Sequence, residues 1–210
     1  MTKATVWAVC LLSVGGLLAL DATRAQSRVA KPGANRVQNA IPKAGGADCA
    51  SATVVTTPLP YMDSGNTCGA PAAVSDYNNQ GTGGPCATYL YPGPELIYRM
   101  DLGANNDVTV TLAPVAPADL GVFVVGDCQN TLSCVGFQDV AGGGEMSAVT
   151  FEMGQSMCSN ETPSRCPGIG AGMYWIYVDS FYASGASSCG NYSLSVSGTI
   201  PVELMEFSVD

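Results

Sequence analysis

The chain has 210 residues, with eight Lys and Arg against seventeen Asp and Glu, nine Cys and no His, for a formal net charge of −9. Without His, and without Lys beyond residue 43, neither Ser-His-Asp nor Cys-His catalysis can be built, nor the common His-bearing metal-hydrolase site. Charge is divided along the chain: Arg28, Lys31, Arg36 and Lys43 make residues 26 to 43 basic, whereas from residue 44 onward only Arg99 and Arg165 oppose sixteen acids. So acidic a body repels nucleic-acid phosphates and anionic lipid, and neither is expected as a partner.

Lys3, the apolar run Ala4 to Leu20 and the triplet Thr23-Arg24-Ala25 read as a secretory signal peptide over residues 1–25. The run is shorter than the roughly 20 residues of a spanning helix, so cleavage before Gln26 and no membrane insertion afterwards are expected. Cys10 leaves with the peptide, and eight cysteines remain. Residues 26–47 are rich in Pro, Gly and Ala and show no apolar period, as in a flexible leader, and the fold is expected to begin near Cys49.

An even cysteine count in an exported chain predicts disulfides rather than zinc, since there is no His and no Cys-x-x-Cys. Proximity along the chain predicts Cys128–Cys134 and Cys158–Cys166 as local staples, with Cys68–Cys86 and Cys49–Cys189 as the remainder. The localisation that follows is secreted, extracellular or at the cell surface.

Alternation with a period of two dominates residues 48–199. Leu96, Tyr98, Met100 and Leu102 form one apolar set, Val108, Val110 and Leu112 a second, and Tyr192, Leu194 and Val196 a third. Each such strand is expected to bury one face and wet the other. Residues 119–126 and 147–153 add two more short strands bounded by Pro, Gly and Asp, and Gly and Pro interrupt every window long enough for a helix. The fold class predicted is all-β, an antiparallel, jelly-roll-like β-sandwich braced by disulfides. Residues 200–210 read as a C-terminal extension or edge strand.

In "AGMYWIYVDS", alternation places Tyr174, Ile176 and Val178 on one face and Met173, Trp175, Tyr177 and Asp179 on the other. The Trp175–Tyr177 face either packs against the far sheet or stands open as an aromatic platform for sugar rings or peptide, with packing preferred. The same stretch closes on "CGNYSLSV". With the opening "CASATVVTTPLPYMDSGNTC", the middle "ELIYRMDLGANNDVTVTLAP" and "DLGVFVVGDC", this order of landmarks resembles the bacterial pre-peptidase C-terminal family over roughly residues 49–199. The resemblance implies a jelly-roll-like sandwich, usually appended to secreted peptidases and other exported enzymes, where it assists secretion or binds substrate. Some relatives bind calcium, although no ligand set carries over residue by residue. No peptidase domain is read within these 210 residues.

Aspartates at strand ends suit either turns or a structural calcium ion, and the loop holding Asp101, Asn105 and Asp107 is the best ligand candidate. No other cofactor is expected. Two functions are open. One is a non-catalytic module that binds an extracellular protein or polysaccharide, or assists a secreted enzyme. The other is a structural subunit of the cell surface or matrix that pairs with copies of itself through an exposed edge.

Overall fold

A computed structural model describes residues 45–77, 86–87, 89–103, 107–159 and 161–199. Two five-stranded sheets face each other. Sheet A has the order β1-β3-β9-β5-β6, with β1 Thr53–Val55, β3 Leu96–Leu102, β9 Gly172–Ser180, β5 Leu120–Val125 and β6 Cys134–Gln138. Sheet B has the order β2-β10-β4-β7-β8, with β2 Tyr61–Asn66, β10 Asn191–Thr199, β4 Asp107–Pro114, β7 Ser147–Glu152 and β8 Ser164–Pro167. Among the described residues there is no α-helix, and the one helical turn is a short 3-10 turn at Thr131–Ser133.

The sandwich is as expected, but its sheets are mixed. The central pairs are antiparallel, whereas the edge pairs β1–β3 and β7–β8 are parallel. Short runs such as "TVV" and "SRCP" do not encode the direction of their partner; the long connections that precede or follow them do. The chain also joins the fold earlier than Cys49, because Gly46 bridges Ile97 with hydrogen bonds in both directions at 2.8 and 2.9 Å.

Between the sheets, Leu96, Tyr98, Met100, Val122, Val124, Ile176 and Val178 of sheet A meet Val108, Val110, Leu112, Val149, Phe151, Leu194 and Val196 of sheet B. The Tyr98 and Tyr192 hydroxyls pair at 2.8 Å, so two buried phenols satisfy each other across the gap. Gly136 is required by packing: a Cβ there would lie 2.6 Å from Phe151 Cζ and 2.7 Å from Val149 Cγ1. The missing side chain on β6 is the space that the Phe151 ring fills.

The outward faces of the two sheets differ. Sheet B follows the expected alternation, with β4 running exposed or half-buried at Asp107, Thr109, Thr111 and Ala113 and buried at Val108, Val110, Leu112 and Pro114. Sheet A does not, since all six residues of β5 are buried. A sheet covered on both sides reads as a continuous apolar run, and "LGVFVV" is such a run. The cover comes from the described residues between β2 and β3, which lay Val74, Tyr77, Cys86, Ala87 and Tyr91 on Ile97, Phe123, Val125 and Tyr177. On β3, the strand of sheet A for which a wet outer face was expected, Arg99 is half-buried and Asp101 exposed, so the expectation is corrected only at Ile97, which the cover buries.

Candidate functional site

The disulfides show how that cover is held. Cys158–Cys166 closes locally, but the other three pairs are Cys49–Cys128, Cys68–Cys189 and Cys86–Cys134. The expected Cys128–Cys134, Cys68–Cys86 and Cys49–Cys189 pairs are not formed. Cys128 and Cys134 flank one turn, yet both belong to the outer layer of sheet A, where each meets a covering segment rather than the other. Cys86 pins the middle of the cover and Cys49 pins the N-terminal approach. Cys68 and Cys189 continue the β2–β10 register, in which Asn66 opposes Asn191 and Thr67 N–H donates to Gly190 C=O at 3.1 Å. Chain proximity was a poor guide because sheet register brings distant residues face to face.

Trp175 and Tyr177 do share the outer face of β9, but that face is not an open platform. Tyr177 is buried, and its hydroxyl donates to Cys128 C=O at 2.7 Å beside the Cys49–Cys128 bridge. Burial, followed by the nearby Glu95, Asp127 and Asp179, pushes its phenol up to about 12. Trp175 is half-buried, opposite Arg99 and Val125, with its indole N–H enclosed and without an acceptor. Both alternatives are corrected: Tyr177 is buried, so the pair is not an open platform, but what buries it is the cover and not sheet B, which Ile176 and Val178 face instead.

Asp101 and Asp107 are exposed and engaged separately. Asp101 pairs with Arg99 at 3.3 Å on β3, while Asp107 on β4 accepts the Met153 N–H at 3.2 Å. Asn105 lies outside the described residues. Among the described residues no three Asp, Glu, Cys or His side chains gather to hold a metal ion.

Sequence reading placed Asp179 on the outer face of β9 but did not foresee its burial, and it overlooked Glu95. Asp179, at the end of β9, is fully buried, accepting the Tyr77 hydroxyl at 2.7 Å and the Ser180 N–H at 2.6 Å. Glu95 is 1% exposed; its Oε1 accepts Ala73 N–H at 2.8 Å and Val74 N–H at 3.2 Å, while Oε2 is enclosed without a partner. Desolvation holds both carboxyls above the ordinary carboxylate range, and the proximity of Glu95 adds to the rise at Asp179, against the lowering effect of the Tyr77 bond. Desolvation first, then Asp179, likewise raises the Tyr77 phenol. A signal existed in the sequence: Asp179 continues the alternation of Trp175 and Tyr177 on a face that alternation alone could not show to be covered.

A carboxyl whose folded pKa is raised binds a proton more tightly in the folded state than in the unfolded one. Its cost is therefore absent below the unfolded value, near pH 4, and grows as pH rises toward the folded value. Thermal denaturation is expected to show a Tm that falls between about pH 4 and neutrality. Glu95→Gln keeps the acceptor for Ala73 and Val74 and removes one charge, so it should raise the Tm at pH 8 and flatten this slope. An unaltered profile in Glu95→Gln would show that Glu95 carries no part of it.

One part of the outer layer reaches solvent. Tyr91 is buried, donates to Asp139 at 2.7 Å and packs edge-on to Phe123, Phe137 and Phe181 at 4.7, 6.0 and 5.4 Å. Phe181 meets Tyr182 at 5.1 Å and Tyr89 at 6.3 Å. Tyr89 is 63% exposed and its neighbour Leu90 is 60% exposed, so the aromatic layer continues outward as an exposed rim.

The chain matches no family model, and no curated protein matches it in sequence. Among solved structures it is similar to the pre-peptidase C-terminal domain of collagenase from Bacillus anthracis, at 12% identity and a TM-score of 0.37, over 75% of this chain and 99% of that one. Four disulfides suggest an extracellular domain, because such bridges persist in oxidising compartments.

Proposed function

We propose that the chain is exported, loses residues 1–25, and acts as a non-catalytic sandwich module that binds an extracellular polymer, protein or glycan, either alone or in the service of a secreted enzyme. The observation that carries this reading is the rim where exposed Tyr89 and Leu90 adjoin half-buried Phe181 and Tyr182, built on a layer that disulfides and buried rings hold in place. An exposed apolar pair backed by rigidly held rings supplies contact area to a partner at low conformational cost.

Catalysis fits the same site poorly. Glu95 and Asp179 have the raised pKa that acid catalysis uses, but both are sealed beneath the cover, where a substrate cannot reach them. The assembly alternative draws on β2, a six-residue edge strand paired on one side only, by β10.

The test is light scattering on the exported protein, with and without Ca²⁺, beside pull-downs on matrix proteins and polysaccharides. A monomer retained on one polymer is expected. Ordered oligomers or filaments that dissolve when residues 26–47 or 200–210 are deleted would replace this reading with the structural-subunit one. Turnover of a substrate abolished by a single Asp or Glu substitution would replace it with an enzymatic one.

A further inference from the structure

We infer that the rim formed by Tyr89, Leu90, Phe181 and Tyr182 is a docking site for a basic polypeptide segment, one that presents Arg or Lys side chains to the tyrosine and phenylalanine rings. The inference rests on the binding reading above and names the occupant of its site.

The first argument is local. Tyr89 and Leu90, 63% and 60% exposed, are adjacent in the chain, and Tyr89 meets half-buried Phe181 in the loop that follows β9. The other large exposed apolar side chains, such as Met62, Val115 and Met173, come singly along the chain. The rim is also held from below, because Tyr91 ties Phe181 to the Phe123 and Phe137 rings of the buried layer. Little ordering is left for a partner to impose.

The second argument is charge. Residues 45–199 hold thirteen Asp and Glu against Arg99 and Arg165 alone. Both arginines are engaged elsewhere, Arg99 with Asp101 on β3 and Arg165 with Glu152 on sheet B, each at 3.3 Å. Beneath the rim lie carboxyls instead: Asp139 accepts the Tyr91 hydroxyl, and Asp119, whose C=O accepts the Phe181 N–H at 3.3 Å, lies near that same hydroxyl. Negative ring faces above negative carboxyls attract a cation, and an Arg guanidinium also stacks on a ring. An acidic polymer is repelled by the same field, and a neutral one gains nothing from it.

The test titrates the exported protein with a short Gly/Ser peptide carrying spaced Arg residues, with the same peptide bearing Gln in place of every Arg, and with a neutral oligosaccharide. The Arg peptide is expected to bind, weakening as salt is raised, and the other two to bind about tenfold less tightly or not at all. Tyr89→Ala should weaken the Arg peptide about three- to fivefold, the loss of one exposed cation–π contact. Leu90→Lys should weaken it about tenfold by placing a like charge in the rim. Met62→Lys, at a 76% exposed position on the opposite sheet, makes the same change in net charge and should alter binding less than about twofold.

Equal weakening by Leu90→Lys and Met62→Lys would overturn the inference in favour of diffuse attraction. Binding of the Gln peptide or the oligosaccharide that is as tight as the Arg peptide and is lost in Tyr89→Ala would overturn the choice of occupant. The two readings fail separately. A polymer retained equally by wild type and Leu90→Lys removes this inference and leaves the binding module, whereas wild type that retains no polymer removes the binding module itself.

Discussion

Replacing Cys68 and Cys189 together by Ser is expected to lower stability by about 4 to 5 kcal/mol, the largest loss from any of the four bridges. The pair closes 121 residues of chain, against 79 for Cys49–Cys128, 48 for Cys86–Cys134 and 8 for Cys158–Cys166. Loop-closure entropy removed from the unfolded chain grows with the logarithm of that length, so the shortest bridge is worth about 2 to 3 kcal/mol on the same scale. Location adds to length. Cys68–Cys189 continues the pairing of β2 with β10, and β10 is also the neighbour of β4, so the bridge sits where the edge of sheet B joins its centre. Chemical denaturation without reductant measures the difference, provided each double variant retains the native fold. A Cys158/Cys166 double variant that loses as much as the Cys68/Cys189 one would reject the chain-entropy account.

Phe123→Ala is expected to cost about 3 to 5 kcal/mol, the range for removing a fully buried ring that its surroundings cannot close over. Phe123 is fully buried on the outer face of β5 and is the hub of the second layer. It stacks on Tyr77 at 3.8 Å and on Phe137 at 4.9 Å and meets Tyr91 edge-on at 4.7 Å. Tyr77 and Tyr91 belong to the cover, so the loss should be felt there first. Hydrogen exchange at residues 71–77 and 89–95 is expected to quicken more than exchange in sheet B, whose core touches the other face of sheet A. A cost below about 1 kcal/mol would mean that the cover is peripheral to folding. Quickening spread evenly over both sheets would mean that the two layers unfold as one.

How the second layer forms also explains which features sequence reading could reach. The alternation in "MYWIYVDS" correctly divided β9 into an Ile176 and Val178 face and a Trp175 and Tyr177 face, because side-chain period is a local property of an extended chain. Whether the second face is wet is not local. It depends on the segment that holds Tyr77 and Tyr91, which lies about a hundred residues from Tyr177 in the chain and carries no strand pattern of its own. The strongest hint was β5, where "LGVFVV" lacks polar alternation, and a run without alternation is what a doubly covered strand requires.

The sequence by itself determined the all-β class, the strands around Leu96–Leu102, Asp107–Pro114, Leu120–Val125 and Asn191–Thr199, and the inward faces that make the core. These follow from short-range rules: period-two patterning, breaking by Gly and Pro, and the cost of leaving apolar side chains in water. Only the tertiary structure decided the parallel edge strands, three of the four cysteine partners, the burial of Tyr177, Glu95 and Asp179, and the outward reach of the aromatic layer at Tyr89. Each of these is a meeting of residues far apart in the chain. Their positions are set by sheet register and by the path of a covering segment, and neither leaves a periodic mark in the residues that meet.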